Sequence, residues 1–495
     1  MRVSSYAIGA PLADERFFVL LHGVRGSLDK VAATTGAYLV EHRGDIAAAP
    51  PWDSGGRIEA HLKERGYLTD LSPEQERGLM VDMATALHKA DLASSPPSFV
   101  FVPAFTCNLR CPYCFQSHEM HAGKGTFATV MTRERVDDAF RVIDGFDSPG
   151  AVARHLDLLP TLSKDVSQAG TVGKLGLFGG EPMQEATREI VGYIVERARN
   201  RGSALWAITN GVQLDLFADL LGPDGLAEVQ ITLDGMPDLH DQRRVGPRFR
   251  QTFHKIVENI GRALEADVQV RVRINVDQTN ADHVAMLNDL FMERGWSEHP
   301  AFSATAAVVS GEAKHEELVS PADLLSLTRA LGGAGCVSSY EGYAIGVLKR
   351  AIAGGYPFQR AVNCSAETGL LMFDPRGDLY GCWDEVGLMD RRIGGYRGGV
   401  MDLDEQVARS WLSRFPGAIE QCSRCPYALI HTSGCANTAR TDTGSIFAAA
   451  CEGFQTYFPR SLAESYDEIE HQLLGKTPPA HTRSRSLPIV QVTSG

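Results

Sequence analysis

The sequence lacks a polybasic block. Lys and Arg number 48 against 61 Asp and Glu, for a net charge of −13, and no cationic stripe of the kind that holds a polyanion is present. The expectation is therefore that nucleic acid is not the main partner. No apolar stretch approaches bilayer-crossing length, so no membrane partner is expected. The opening residues, Met1-Arg-Val-Ser-Ser-Tyr6, lack the sustained apolar run of a secretory signal. The expectation is a cytoplasmic protein. No internal repeat of the whole unit is visible, and a disulfide framework is missing as well. Of the ten cysteines, three lie within Cys107–Cys114, six lie between Cys364 and Cys451, and Cys336 stands alone. Clustered cysteines in a reducing compartment read as metal or iron–sulfur ligands rather than bridges.

A chain of 495 residues is too long for one ordinary domain. Residues 1–95 read as a small α+β module, with Phe17–Leu21 as a strand and helices over Leu28–Leu39, Ile58–Glu64 and Ser72–Lys89. The last opens on the start signal Ser72-Pro-Glu-Gln75. From residue 96 to 319, strands and helices alternate. The strand candidates are Phe99–Phe105, Leu175–Phe178, Leu205–Ile208, Glu228–Leu233, Val268–Val276 and Ser303–Val309. The intervening helices are Arg133–Ile143, Ala186–Arg199, Leu214–Leu221, Phe253–Glu265 and Asp282–Glu293, and the long connector Asp147–Thr171 is expected to carry an extra one. Such alternation predicts an α/β fold with a parallel sheet, open or barrel-shaped. In parallel barrels the chemistry sits at the C-terminal strand ends. Residues 320–360 read as bridging helices and 361–460 as a small domain held by metal clusters. Residues 461–495 form a C-terminal tail, polar and without periodicity from Lys476 onward.

Cys107, Cys111 and Cys114 directly follow the first barrel strand. Three thiolates at this spacing suit three irons of a cubane and leave the fourth iron open to a small molecule. A zinc site completed by His118 or His121 and a redox dithiol are the competing readings. Further motifs lie at successive strand ends: Phe178-Gly-Gly-Glu-Pro182, Thr209-Asn-Gly211, Ile231-Thr-Leu-Asp-Gly235 and then His240-Asp-Gln-Arg-Arg244. Paired glycines admit close backbone approach, and a carboxylate with free carbonyls accepts from an ammonium group.

On these motifs the chain resembles a radical S-adenosylmethionine enzyme over roughly residues 99–310. The resemblance implies a partial (β/α)6 TIM-type barrel. The cysteine triplet would ligate a [4Fe–4S] cluster whose open iron chelates S-adenosylmethionine, and reductive cleavage would give a 5′-deoxyadenosyl radical. By motif, Gly179, Gly180 and Glu181 would hold the methionyl amine and Tyr113 would lie by the adenine. Thr232 would sit near the ribose or carboxylate, and Arg244 would pair with the methionyl carboxylate.

The later cysteines resemble a SPASM domain, a C-terminal extension with two auxiliary [4Fe–4S] clusters, which brings the expected total to three. The resemblance assigns Cys364, Cys382 and Cys435 to one cluster, and Cys422, Cys425 and Cys451 to the other. His431 stands at the remaining ligand position, with a surface or capping histidine as the alternative and a zinc knuckle as the runner-up for the domain. Cys336 reads as a buried apolar cysteine or, more sharply, as a hydrogen-donor thiol. Asp384 is the candidate base. In sulfatase-maturing relatives an aspartate directly follows the cysteine at Cys382, and here Trp383 occupies that position.

The expectation is a peptide maturase that crosslinks side chains of a ribosomally synthesised precursor by net two-electron oxidation. The auxiliary clusters would take the second electron, and a flavodoxin or ferredoxin would supply the first. The leader peptide would add a strand to the N-terminal module. Sulfatase-type or small-molecule dehydrogenation, epimerisation and a non-catalytic electron-transfer protein are the alternatives.

Overall fold

A computed structural model of the chain describes residues 1–45, 50–52, 55–95, 97–146, 174–309, 319–331, 336–339, 341–353 and 358–475. The extra helix expected within 147–171 and the tail from Lys476 lie outside the described residues. The chain divides into two units: Met1–Asp91 with Tyr340–Asn363 and Arg414–Gly495, and Leu92–Ser339 with Cys364–Ser413.

In the first unit, β1 (Arg2–Val3) pairs with β5 (Leu68–Thr69), while β2 (Ala7–Pro11), β3 (Phe17–His22) and β4 (Leu28–Ala32) form an antiparallel sheet in that order. The strand β4 corrects the expectation of one helix over Leu28–Leu39. Leu28 pairs with Leu21 and Ala32 with Phe17, so ladder hydrogen bonds capture the segment, and the helix covers only Ala33–Glu41. Tertiary pairing overrides local propensity here. At the helix Pro73–Ser94 the start signal operates as read. Ser72 N–H donates to Gln75 Oε1 at 2.9 Å and Gln75 N–H to Ser72 Oγ at 3.2 Å, a reciprocal capping box.

The second unit is built on an eleven-stranded sheet. Its strands are β6 (Ser98–Phe101), β7 (Leu175–Leu177), β8 (Leu205–Thr209), β9 (Leu226–Thr232), β10 (Gln269–Val276), β11 (Phe302–Val308), β12 (Val337–Ser338), β13 (Leu370–Phe373), β14 (Asp378–Tyr380), β15 (Gly394–Gly395) and β16 (Asp402–Leu403). The strands β6 to β11 are parallel neighbours in sequence order, as the strand–helix alternation requires. This is the partial barrel of the sequence reading. Along β10, Val270, Val272, Ile274 and Val276 are buried while Arg271, Arg273 and Asn275 turn to the other face. The helix Phe253–Glu265 buries Phe253, Ile256, Val257, Ile260, Ala263 and Leu264, a stripe of helical period.

Two further differences concern helices. Leu214–Leu220 is a 3-10 helix kinked at Phe217 rather than an α-helix. Between the helices Pro321–Ala330 and Glu341–Ala353 the chain forms β12, which pairs in parallel with β11. Beyond β6 the sheet continues into β13, whose Leu370 pairs with Ser98 and Phe373 with Phe101.

Candidate active site

The segment 102–114 follows β6 and is tied to the ends of the next three strands. After β7, Gly180 N–H donates to Ala104 O at 3.2 Å and Glu181 N–H to Thr106 O at 2.9 Å. After β8, Asn210 Nδ2 donates to Asn108 Oδ1 at 2.7 Å. After β9, Asp234 accepts from the Tyr113 hydroxyl. The loop is thus fixed by backbone and short polar side chains from the ends of successive strands, where a parallel barrel gathers its chemistry.

The two glycines at the end of β7 are demanded by contact. A Cβ on Gly180 would lie 2.1 Å from Phe105 O, and one on Gly179, at φ 143°, would lie 2.5 Å from Ala104 O. Glu181 is buried and accepts from Met183 N–H at 2.8 Å, Thr209 Oγ1 at 2.6 Å and Asn210 N–H at 2.7 Å. Burial pushes its pKa up against those three donors. A carboxylate has about four acceptor positions, so Glu181 joins the loops after β7 and β8 and keeps capacity for one more donor.

Arg244 is 7% exposed. Its Nη1 donates to Tyr113 Oη at 2.5 Å and lies 3.6 Å from Asp234, and its Nε is buried without a partner. Arg243 caps the Tyr113 ring from 4.9 Å and donates to Asp277 at 2.6 Å. Burial raises the Tyr113 phenol pKa well above its ordinary value, with Arg244 opposing.

A cavity of 390 Å³ opens beside these groups. Cys107, Cys111, Cys114, Tyr113, Gly179, Gly180, Glu181, Thr232, Arg244 and Asp384 all line it, so every candidate that the sequence placed in the radical core meets here, with Asp384 added. Its apolar wall includes Phe178 and Trp383, whose rings meet edge to face at 4.9 Å. Its polar wall contains Gln230, Arg273 and Asn275, which the sequence reading passed over. Strand alternation in β9 and β10 carries the signal for them, since all three fall on the face opposite the buried valines and isoleucines. Asp234 and Asn210 lay inside quoted motifs, but their anchoring roles depend on partners distant in sequence.

Burial raises the pKa of all three thiols, that of Cys114 to about 11; beside Cys107 the Glu181 charge and its fellow cysteines push the same way. Three thiolates lining one cavity would need a cationic group to neutralise them. Among the described residues, no three His, Cys, Asp or Glu side chains gather as around a single metal ion.

Residues 101–290 match the Radical SAM superfamily. The chain carries a radical SAM domain. That domain implies a [4Fe–4S] cluster and S-adenosylmethionine, and the residues fit both: three cysteines lining one cavity, a buried carboxylate beside them with a spare acceptor position, and an arginine with an orphaned buried Nε. The chain is also similar to a curated relative, a cysteine-type anaerobic sulfatase-maturating enzyme of Clostridium novyi (strain NT). The two are 19% identical over 384 residues, which covers 74% of this chain and 96% of the relative. Among solved structures, anSMEcpe with bound AdoMet and Kp18Cys peptide matches with a TM-score of 0.52 at 18% identity, over 77% of this chain and 99% of that one. Streptococcus suis SuiB bound to precursor peptide SuiA matches with a TM-score of 0.49 at 14% identity, over 91% and 99%.

The first unit has its own cysteine site. Cys422, Cys425, Cys451 and His431 line a cavity of 240 Å³. Its surrounding loops are held by Arg414, which is fully buried and donates to Ile446 O at 2.5 Å, Gly434 O at 3.0 Å, Ser433 O at 3.1 Å and Ala448 O at 3.2 Å. Directly after His431, the β-branched Thr432 sits at φ 66°, a strained conformation of the kind that concentrates at functional sites. Burial, with Arg360 and Arg414 adding, lowers the His431 pKa to about 4, which keeps the imidazole neutral. Cys435 belongs to this unit, Cys364 and Cys382 to the other.

Proposed function

We propose that the chain is a radical S-adenosylmethionine maturase that oxidatively crosslinks side chains of a ribosomally synthesised precursor peptide. The observation that carries this reading is the 390 Å³ cavity, where the cysteine triplet faces aromatic and polar walls roomy enough for a side chain. Cys107, Cys111 and Cys114 would hold the cluster. Gly179, Gly180 and the spare acceptor position of Glu181 would receive the methionyl amine, Arg244 would pair with the carboxylate, Thr232 would sit near the ribose or carboxylate, and Tyr113 would lie by the adenine. When bound, the cluster and S-adenosylmethionine supply hydrogen-atom abstraction from carbon. Phe178 and Trp383 shield that chemistry from water, and Asp384 stands in the same cavity as a proton acceptor.

Cys422, Cys425, Cys451 and His431 are proposed to hold one of the two auxiliary clusters. These clusters would receive the second electron, and a flavodoxin or ferredoxin would provide the first. The edges of the β2–β3–β4 sheet offer backbone groups to a leader strand. The peptide held by anSMEcpe, a protein of similar fold, supports a peptide substrate here.

Sulfatase-type maturation is the second reading, favoured by the Clostridium novyi relative. Trp383 at the position after Cys382 weighs against it. Epimerisation is disfavoured because Cys336 does not line the cavity and instead bonds to Asn288, its N–H donating to Asn288 Oδ1 at 2.9 Å. The test is anaerobic reconstitution with dithionite, S-adenosylmethionine and candidate peptide. Formation of 5′-deoxyadenosine and a product lighter by two hydrogens is expected. An unchanged product mass refutes crosslinking, and absence of 5′-deoxyadenosine refutes the radical reading itself.

A further inference from the structure

Arg273, in the middle of β10, is half-buried and lines the 390 Å³ cavity. Its Nε donates to Asn275 Oδ1 at 2.8 Å, and among the described residues no carboxylate pairs with its guanidinium. A partly desolvated guanidinium is stabilised by an anion, and Arg273 lines a cavity in which one could reach it.

The neighbouring groups define that anion. Because Asn275 Oδ1 accepts from Arg273, the remaining polar atom of the Asn275 amide, Nδ2, is a donor. Gln230 lines the same wall and adds a second primary amide. The set offers the two Nη groups of Arg273 and at least one amide NH₂, with few acceptors, so it suits an acceptor-rich planar ligand. A carboxylate is that ligand, and arginine meets it in two parallel hydrogen bonds. Arg273 lies beside Thr232 in the parallel ladder, so a group held here lies at the depth of the reacting centre. Arg244 is a different case, since Tyr113 and Asp234 already engage it.

We propose that Arg273, with Asn275 and Gln230, binds a carboxylate of the substrate, so that the peptide presents an Asp or Glu side chain to the reaction cavity. This rests on the peptide-maturase reading and adds a substrate class to it. The carboxylate of S-adenosylmethionine is the other source of the same chemistry, and the test separates the two.

The reconstituted full chain with S-adenosylmethionine is titrated with N-acetylglutamate amide and with N-acetylglutamine amide, and binding is followed by saturation-transfer difference NMR. The acidic fragment is expected to bind about tenfold more tightly, as one charge-assisted pair allows. Arg273→Gln should abolish the preference, and Arg273→Lys should keep part of it. In both variants the dissociation constant of S-adenosylmethionine should stay within about twofold of the parent. Equal binding of the two fragments, or no binding of either, overturns the proposal. So does a tenfold loss of S-adenosylmethionine affinity in Arg273→Gln, which would assign the residue to the cofactor. If Arg273→Gln does not fold, Gln230→Leu is read in its place and must reduce the preference. Loss of 5′-deoxyadenosine in the parent chain instead refutes the radical reading, independently of the fragment result.

Discussion

Arg244 Nη1 donates to the Tyr113 hydroxyl at 2.5 Å, and that hydroxyl donates in turn to Asp234. The residue before the third cysteine is thereby bound to the end of β9 and to the arginine that follows it. The same aspartate accepts from Asn275 N–H at 2.8 Å, so it couples the cysteine loop to β10 as well. Three elements of the site depend on one buried carboxylate.

Asp234→Ala should therefore destabilise the chain by about 3 kcal/mol, because it leaves the Arg244 charge buried without its partner. Tyr113→Phe should cost about 1 kcal/mol, since Asp234 and Arg244 still face each other. Urea unfolding of the two variants beside the parent checks the order. Equal losses would show that the aspartate is not the keystone.

Gly180→Ala should weaken S-adenosylmethionine binding by at least about tenfold, since its Cβ would lie 2.1 Å from Phe105 O and force the cysteine loop aside. Gly261→Ala is the contrast. Nothing lies within 4 Å of a Cβ there, and the residue is inside the helix Phe253–Glu265. That variant should be about 0.5–1 kcal/mol more stable than the parent. Equilibrium dialysis and thermal unfolding provide the two readouts.

The two cysteine sites should separate by substitution. Replacing Cys107, Cys111 and Cys114 with alanine should remove the iron of one cluster and abolish 5′-deoxyadenosine formation. Replacing Cys422, Cys425 and Cys451 should remove a different cluster and leave uncoupled cleavage in place. Iron analysis with Mössbauer spectra distinguishes these outcomes. An imidazole ligand raises a cluster's potential relative to thiolate, so His431→Cys should shift one reduction midpoint downward. An unmoved midpoint in an EPR redox titration would exclude His431 as a ligand.

His22 predicts a pH dependence. It is 2% exposed, and burial lowers its pKa from 6.5 to about 4, with Glu76 opposing. Its Nδ1 accepts from Arg25 N–H at 2.9 Å and its Nε2 lies 3.0 Å from Ser4 Oγ. The unfolded chain takes up this proton first as the pH falls below about 6.5, so stability declines from there to about pH 4 and changes no further below it. The slope is about 1.4 kcal/mol per pH unit and the total about 3 kcal/mol. In urea titrations between pH 7 and pH 4, His22→Gln should lose this share of the parent's decline. An identical decline in both chains would contradict it.

The parallel core was legible because each of its elements repeats a simple period. The valines and isoleucines of β10 alternate, and the apolar stripe of Phe253–Glu265 recurs every three or four residues, whatever surrounds them. The cysteine triplet and the glycine pair were legible because their chemistry depends on spacing within a few residues. The segment Leu28–Ala32 was misread, since its short run fits a helix as well as a strand and only β3 decides between them. Arg414 was invisible for a related reason. An isolated arginine in a sequence reads as surface, and it becomes a buried staple only when four carbonyls converge on it.

The sequence by itself determined the period of the barrel, the order of its strands and the three thiols that follow the first of them, because these are properties of neighbours along the chain. Tertiary structure alone decided which residues share the cavity. Tyr113 meets Asp234, Arg273 faces the space lined by Trp383, and Leu370–Phe373 joins the sheet beside β6, all through contacts between segments far apart in the chain. Those contacts form when backbone groups and apolar faces find partners across the fold, and no local pattern encodes the address of a distant partner.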